Sequence, residues 1–103
     1  FQDYLHVDDI AAGIVALFES DIQGAVNICS GEPVQLKYLV EKIAELTNFK
    51  GNVLYGAIPT YFKEAFVVGN NSRLKVEVGF SPKYTLETGL LKTIEWYKRR
   101  LSV

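Results

Sequence analysis

Three stretches of this chain repeat apolar residues at helical spacing, and the segments between them are short. Ile10, Ala11, Ile14, Val15, Leu17 and Phe18 make one stripe. Leu36, Leu39, Val40, Ile43, Ala44 and Leu46 make a second, and Leu86, Leu90, Leu91, Ile94, Tyr97 and Leu101 a third. Recurrence at three and four residues is what one buried face of an α-helix requires. Asp8 stands before the first run and Thr85 before the last, each in the position of an N-cap. The second helix is expected over residues 35–48. A fourth, short helix is expected to start at Asn70-Asn71-Ser72, whose polar side chains suit capping, and to close at Gly79. Between the helices, residues 1–7, 25–29, 52–56 and 66–68 read as strands. Gln23-Gly24 and Ser30-Gly31-Glu32-Pro33 read as turns, and 57–65 as a loop. Short strands alternating with about four helices predict an α/β fold. At 103 residues there is room for a single domain, residues 1–103.

Composition narrows the function classes. Apolar residues are 49% of the chain and charged residues 22%, which is a globular profile. The net charge of −1 speaks against nucleic acid or an acidic membrane as partner. One basic cluster, Lys98-Arg99-Arg100, falls in the last turns of a helix, where it answers the dipole. The single cysteine, Cys29, forms no internal disulfide and reads as a core thiol. With one histidine and one cysteine, no pair has zinc spacing. No apolar run has the length of a membrane span, so a soluble cytoplasmic protein is expected. The chain contains no methionine and is expected to be an excised part of a longer protein. A domain this small buries only about two thirds of its unfolded surface. If it leans on another domain, some of its apolar surface should lie uncovered.

The residues by themselves offer little chemistry. There is no glycine-rich dinucleotide fingerprint and no P-loop. His6 has Asp8 and Asp9 close by, but a general base needs an orienting partner, and a structural role is favoured. Tyr38 and Lys42 have the Tyr-x-x-x-Lys spacing of short-chain dehydrogenases. The stripe around them, however, turns both toward solvent, and no cofactor sequence precedes them. Asn70, Asn71 and Ser72 are read first as helix caps, and Trp96 and Tyr97 as packing residues.

Taken in order, several segments resemble the extended short-chain dehydrogenase family, the NAD-dependent epimerases and dehydratases of nucleotide sugars. They are Asp3-Tyr4-Leu5-His6-Val7-Asp8-Asp9-Ile10, then Ala25-Val26-Asn27-Ile28-Cys29-Ser30-Gly31-Glu32-Pro33-Val34. Ser72-Arg73-Leu74-Lys75, Gly79-Phe80-Ser81-Pro82, Leu86-Glu87, Gly89-Leu90 and Thr93-Ile94-Glu95-Trp96-Tyr97 follow. The resemblance covers nearly the whole chain and implies a small C-terminal substrate-binding region, with the Rossmann core largely missing. It further implies that NAD or NADP is bound by the missing N-terminal Rossmann domain, which supplies the catalytic tyrosine and lysine. Dimers of the parent enzyme would form through that domain.

By the same resemblance, Gln2 and Tyr4 line a nucleotide-sugar site from the first strand, and Tyr61 and Lys63 approach it from the loop. No residue of this chain is catalytic, no cofactor or metal is held by it, and it is inert alone. The family's arginine before the Asp-Tyr pair is Gln2 here, which brings no charge to a diphosphate. The arginine often found in the loop is also missing, and Lys63 is the cation between Pro59 and Asn70. Two other readings stay open. One is a non-catalytic binding module of the same fold, and the other a dehydrogenase of a steroid or another small alcohol.

Overall fold

Helical periodicity carries over into the computed structural model, which describes residues 1–56 and 66–101, whereas strand character barely does. Helix α1 spans Val7–Phe18, α2 spans Leu36–Leu46 and α3 spans Leu86–Leu101. A π-helical segment, Arg73–Val78, lies between α2 and α3. Gln2 pairs with Val34 in antiparallel fashion and with Val67 in parallel fashion. The Gln2 and Val34 amides each donate to the other's carbonyl at 2.9 Å, and the Val67 amide donates to Phe1 at 3.0 Å. The strands expected at 25–29 and 52–56 form no ladder among the described residues. A β-rich run becomes a strand only when a neighbour offers matching backbone groups over several residues. Here the neighbours meet at single positions. The expected α/β layer is corrected to helices around one pinched extended segment.

The start of α1 also differs from expectation. His6, not Asp8, is the N-cap: its backbone is extended, and its Nδ1 accepts the Asp8 amide at 3.0 Å. Asp8 and Asp9 therefore sit inside the first turn, where negative charge suits the dipole. The packed face is not the apolar stripe either. It runs through Asp9 and Gly13, four residues apart and both buried. Asp9 is 2% exposed, and its carboxylate accepts the amides of Lys83 and Tyr84, each at 2.9 Å. A Cβ at Gly13 would lie 3.0 Å from Ile28 Cγ2 and 3.4 Å from Phe80, so only glycine admits this approach without repacking. Ile14, Val15 and Phe18 remain exposed, Phe18 by 89%. The sequence places an apolar face there, and no described segment covers it.

Gln35 opens α2 without a side-chain cap bond, in keeping with a weak start, and none of the helix's residues is buried. Lys42 does not point freely into solvent, as its spacing had suggested. Its side chain is 18% exposed and lies between Glu45, at 3.8 Å, and Glu87 of α3, at 3.7 Å. Tyr38 is half exposed.

The π-helical segment packs on α1 and buries Leu74, 1% exposed. Asn70 Oδ1 accepts the Ser72 amide at 2.9 Å as the segment begins. Gly79 ends it in the left-handed conformation at φ 78°, and the Phe80 amide closes back on the Leu74 carbonyl at 3.0 Å. Entry to α3 is fixed by Thr85 and Thr88. Each hydroxyl accepts the other's amide, at 2.8 and 3.1 Å. The last turn carries Lys98, Arg99 and Arg100, and the Arg100 guanidinium lies 4.8 Å above the Trp96 ring. No helix among the described residues is long and apolar enough to cross a membrane.

Candidate functional site

The extended segment that carries Gln2 and Tyr4 is held in place by Asp3 between them. The Asp3 carboxylate accepts the Ser30 amide at 2.8 Å, the Ser30 hydroxyl at 2.7 Å, the Gly31 amide at 2.8 Å and the Gly69 amide at 3.3 Å. Burial opposes its charge. The bonds from Ser30, Gly31 and Gly69 outweigh that cost and hold the carboxyl below its ordinary value. Cys29, beside it, is pushed up by burial and then by the Asp3 charge, so the thiol is a poor nucleophile. Gly69 packs flush on this residue: a Cβ there would overlap Cys29 Sγ and lie 2.9 Å from its Cβ. Cys29 is half-buried and outside any strand, a correction to the core-strand reading.

Tyr4 opens onto a cavity of about 650 Å³ between the first segment, the turn after Cys29, the π-helical segment and α3. Ser30, Glu32, Asn71 and Lys75 bring polar groups to its wall, and Leu39, Leu74 and Leu90 are among its apolar residues. The Asn71 amide donates to the Ser30 carbonyl at 3.1 Å and lies over Gly31, where a Cβ would come within 3.0 Å of it. Gly31 has φ 75°, so both its space and its backbone call for glycine. The available set includes the phenols of Tyr4 and Tyr84, the His6 imidazole, an ammonium, an amide and a carboxylate around an apolar floor. That set can orient a hydroxylated or anionic molecule, and the imidazole's Nδ1 is taken by the Asp8 amide. A hollow of about 670 Å³ between Thr47 and the last turns of α3 is lined by Ile94, Tyr97, Lys98 and Leu101 among the described residues. It brings no carboxylate or imidazole, and Tyr4 is not part of it.

The expected site residues are thus divided. Tyr4 lines the cavity. Gln2, exposed and fixed by its backbone on both sides, is not among the described lining residues. Tyr61 and Lys63 lie outside the described residues. Glu32 and Lys75 reach the cavity without having been singled out from sequence. Nothing local distinguishes either from an ordinary surface charge: Glu32 is placed by the turn in which its amide donates to the Ser30 hydroxyl, and Lys75 by following the buried Leu74. His6 is committed through Nδ1 to the cap of α1, a structural role. The Asp8 carboxylate is paired with Lys92 at 2.9 Å, which lowers it. Lys92 also donates to the Tyr84 hydroxyl at 2.6 Å, and that bond, then Asp8, raises it.

Where a dinucleotide fold offers a glycine turn and a bare helix N-terminus to pyrophosphate, the first turn of α1 carries Asp8 and Asp9, the latter buried on the Lys83 and Tyr84 amides. No group of His, Cys, Asp and Glu among the described residues could hold a metal ion.

No family model matches the chain. Individual proteins do. GDP-L-fucose synthase 1 of Arabidopsis thaliana is 30% identical over 102 residues, 97% of this chain and 31% of that protein. The dTDP-glucose 4,6-dehydratase of Streptomyces griseus is 32% identical over 103 residues, 98% of this chain and 31% of that protein. Among solved structures, the Bordetella bronchiseptica enzyme WbmF, in complex with NAD+ and UDP, superposes with a TM-score of 0.79. It is 31% identical and covered over 97% of this chain and 29% of its own. The chain is homologous to the C-terminal part of the NAD-dependent epimerases and dehydratases of nucleotide sugars. It spans about three tenths of the length of these epimerase and dehydratase relatives.

Proposed function

We propose that this chain is the substrate-side part of an NAD(P)-dependent epimerase, dehydratase or reductase acting on a nucleotide sugar in the cytoplasm. In this reading a Rossmann domain, paired as a homodimer, binds NAD or NADP and supplies the reacting tyrosine and lysine. The cofactor then carries the transient oxidation. This chain's own residues bind and orient. Tyr4 offers its hydroxyl from the cavity wall, Gln2 a neutral donor in place of a charged one, and Tyr61 and Lys63 an aromatic face and a point charge. The chain does no chemistry alone.

The observation that carries the proposal is the likeness to WbmF along 97% of the chain, at 31% identity, in a protein solved with NAD+ and UDP. The uncovered stripe of α1 supports it against a free-standing module, because a closed module would have buried Ile14, Val15 and Phe18.

The test uses the polypeptide that carries residues 1–103 in its natural reading frame, loaded with NAD+ or NADP+. Calorimetric titration with UDP, GDP and dTDP is expected to show binding of at least one. Changing Tyr4 and Lys63 together to alanine is expected to weaken it roughly tenfold, the effect of about one charged hydrogen bond. Equal binding by the double variant removes those two residues from the site. Failure of the unaltered protein to bind any of the three overturns the function.

A further inference from the structure

His6 is the only histidine of the chain, and histidine is the residue type proteins most often use to respond to protons near neutral pH. Its Nδ1 accepts the Asp8 amide at 3.0 Å, which requires that nitrogen to be unprotonated and the hydrogen to sit on Nε2. The side chain is 8% exposed and lies against the start of α3. Its ring centroid lies 4.6 Å from that of Tyr84. Gly89 of α3 approaches so closely that a Cβ there would stand 3.3 Å from His6 Cβ.

Several charged or titratable groups surround the ring. On α1, Asp8 Oδ2 is 3.9 Å from Nδ1, and Asp9 is occupied by the Lys83 and Tyr84 amides. Ahead of α3 stand Lys83 and Tyr84 themselves. On α3 stands Lys92, bonded to both Tyr84 and Asp8.

We infer that His6 is a proton-sensitive latch. The neutral imidazole closes the start of α1 against Tyr84 and Gly89, and protonation opens that joint. A protonated Nδ1 has no lone pair, so the Asp8 amide loses its acceptor and faces an N–H instead. The new charge lands at the positive end of the α1 dipole, beside the Lys92 cation. The nearby counterweight is Asp8, whose Oδ2 already holds Lys92 at 2.9 Å and stands 3.9 Å from Nδ1, so it is shared between two cations and offsets the new charge only in part. The segment carrying Gln2 and Tyr4 runs straight into this cap, so it loses its anchor at that end. This inference stands independently of the nucleotide-sugar reading.

Amide hydrogen exchange on the full polypeptide tests it, read as protection factors at Asp8 and Asp9 between about pH 7.5 and about pH 5.5. Protection in the unaltered protein is expected to fall about tenfold, the size of one lost helix cap, while His6→Asn stays level because asparagine caps without titrating. Level protection in both, an equal fall in both, or a rise in the unaltered protein overturns the inference. Asparagine leaves part of the ring's space unfilled, so a second measurement needs no variant. Nitrogen-15 shifts of His6 near neutral pH are expected to place the hydrogen on Nε2, and finding it on Nδ1 overturns the latch.

Discussion

Two carboxylates explain more of this molecule than any apolar side chain. Asp3 gathers four donors from two loops, and Asp9 caps the approach to α3 from inside a helix. Replacing Asp3 with alanine leaves three amides and a hydroxyl without an acceptor. A loss of about 3 kcal/mol is expected in urea unfolding. The pH dependence has a definite sign. Because its folded carboxyl titrates below the unfolded value, Asp3 contributes fully above about pH 4 and loses its contribution as pH falls through the folded value. Melting temperatures are therefore expected to drop more steeply in acid for the unaltered protein than for Asp3→Asn. Parallel curves would assign the acid sensitivity elsewhere. Neither role was legible locally. Asp8 and Asp9 look like dipole and cap residues, and the amides that claim Asp9 lie 74 and 75 positions away. Gly13 was the available signal, since a glycine inside a helical pattern often marks a close approach.

Among the elements, the helices were readable because each carries its own hydrogen bonds and its own period. α1, α2 and α3 fall where their stripes predicted, and Thr85 and Gly79 perform the stop and start roles their chemistry suggests. Strands failed for the converse reason: their hydrogen bonds belong to a neighbour, and composition says nothing about whether one is present. Of the residues that line the cavity, Tyr4 was named through resemblance and Lys75 was not. The π-helical segment shows how an element is tied down from its surface. Arg73 pairs with Glu77 and also donates to the Ala25 carbonyl at 3.0 Å and the Gln23 carbonyl at 2.9 Å. The pairing raises the guanidinium and lowers the carboxyl. Lysine cannot reproduce that fork. Arg73→Lys is expected to lower the denaturation midpoint more than Glu77→Gln, because it weakens two bonds to backbone carbonyls as well as the exposed ion pair. Chemical denaturation of the two variants measures the difference; equal losses would put the weight on the ion pair.

At the scale of the whole molecule, the sequence promises a larger core than the described residues assemble. Leu74 is the one hydrophobic side chain among them that is fully buried, whereas the α1 stripe and the Trp96 and Tyr97 pair stay open. Under the proposed function that openness has a reason, because the epimerase and dehydratase relatives extend well beyond the segment they share with this chain.

The reach of the two carboxylates has a consequence in time. A ribosome delivers the first segment and α1 early, yet Asp3 waits for Gly69 and Asp9 for Lys83 and Tyr84. Nascent chains with those last two residues still inside the exit tunnel are expected to be cut by protease as readily as unfolded chain. Resistance should appear once they emerge, and its earlier appearance would mean that α1 settles without its partners. Within this stretch the residues made first are among the last to mature, and during synthesis the open face of α1 is the surface a chaperone would meet.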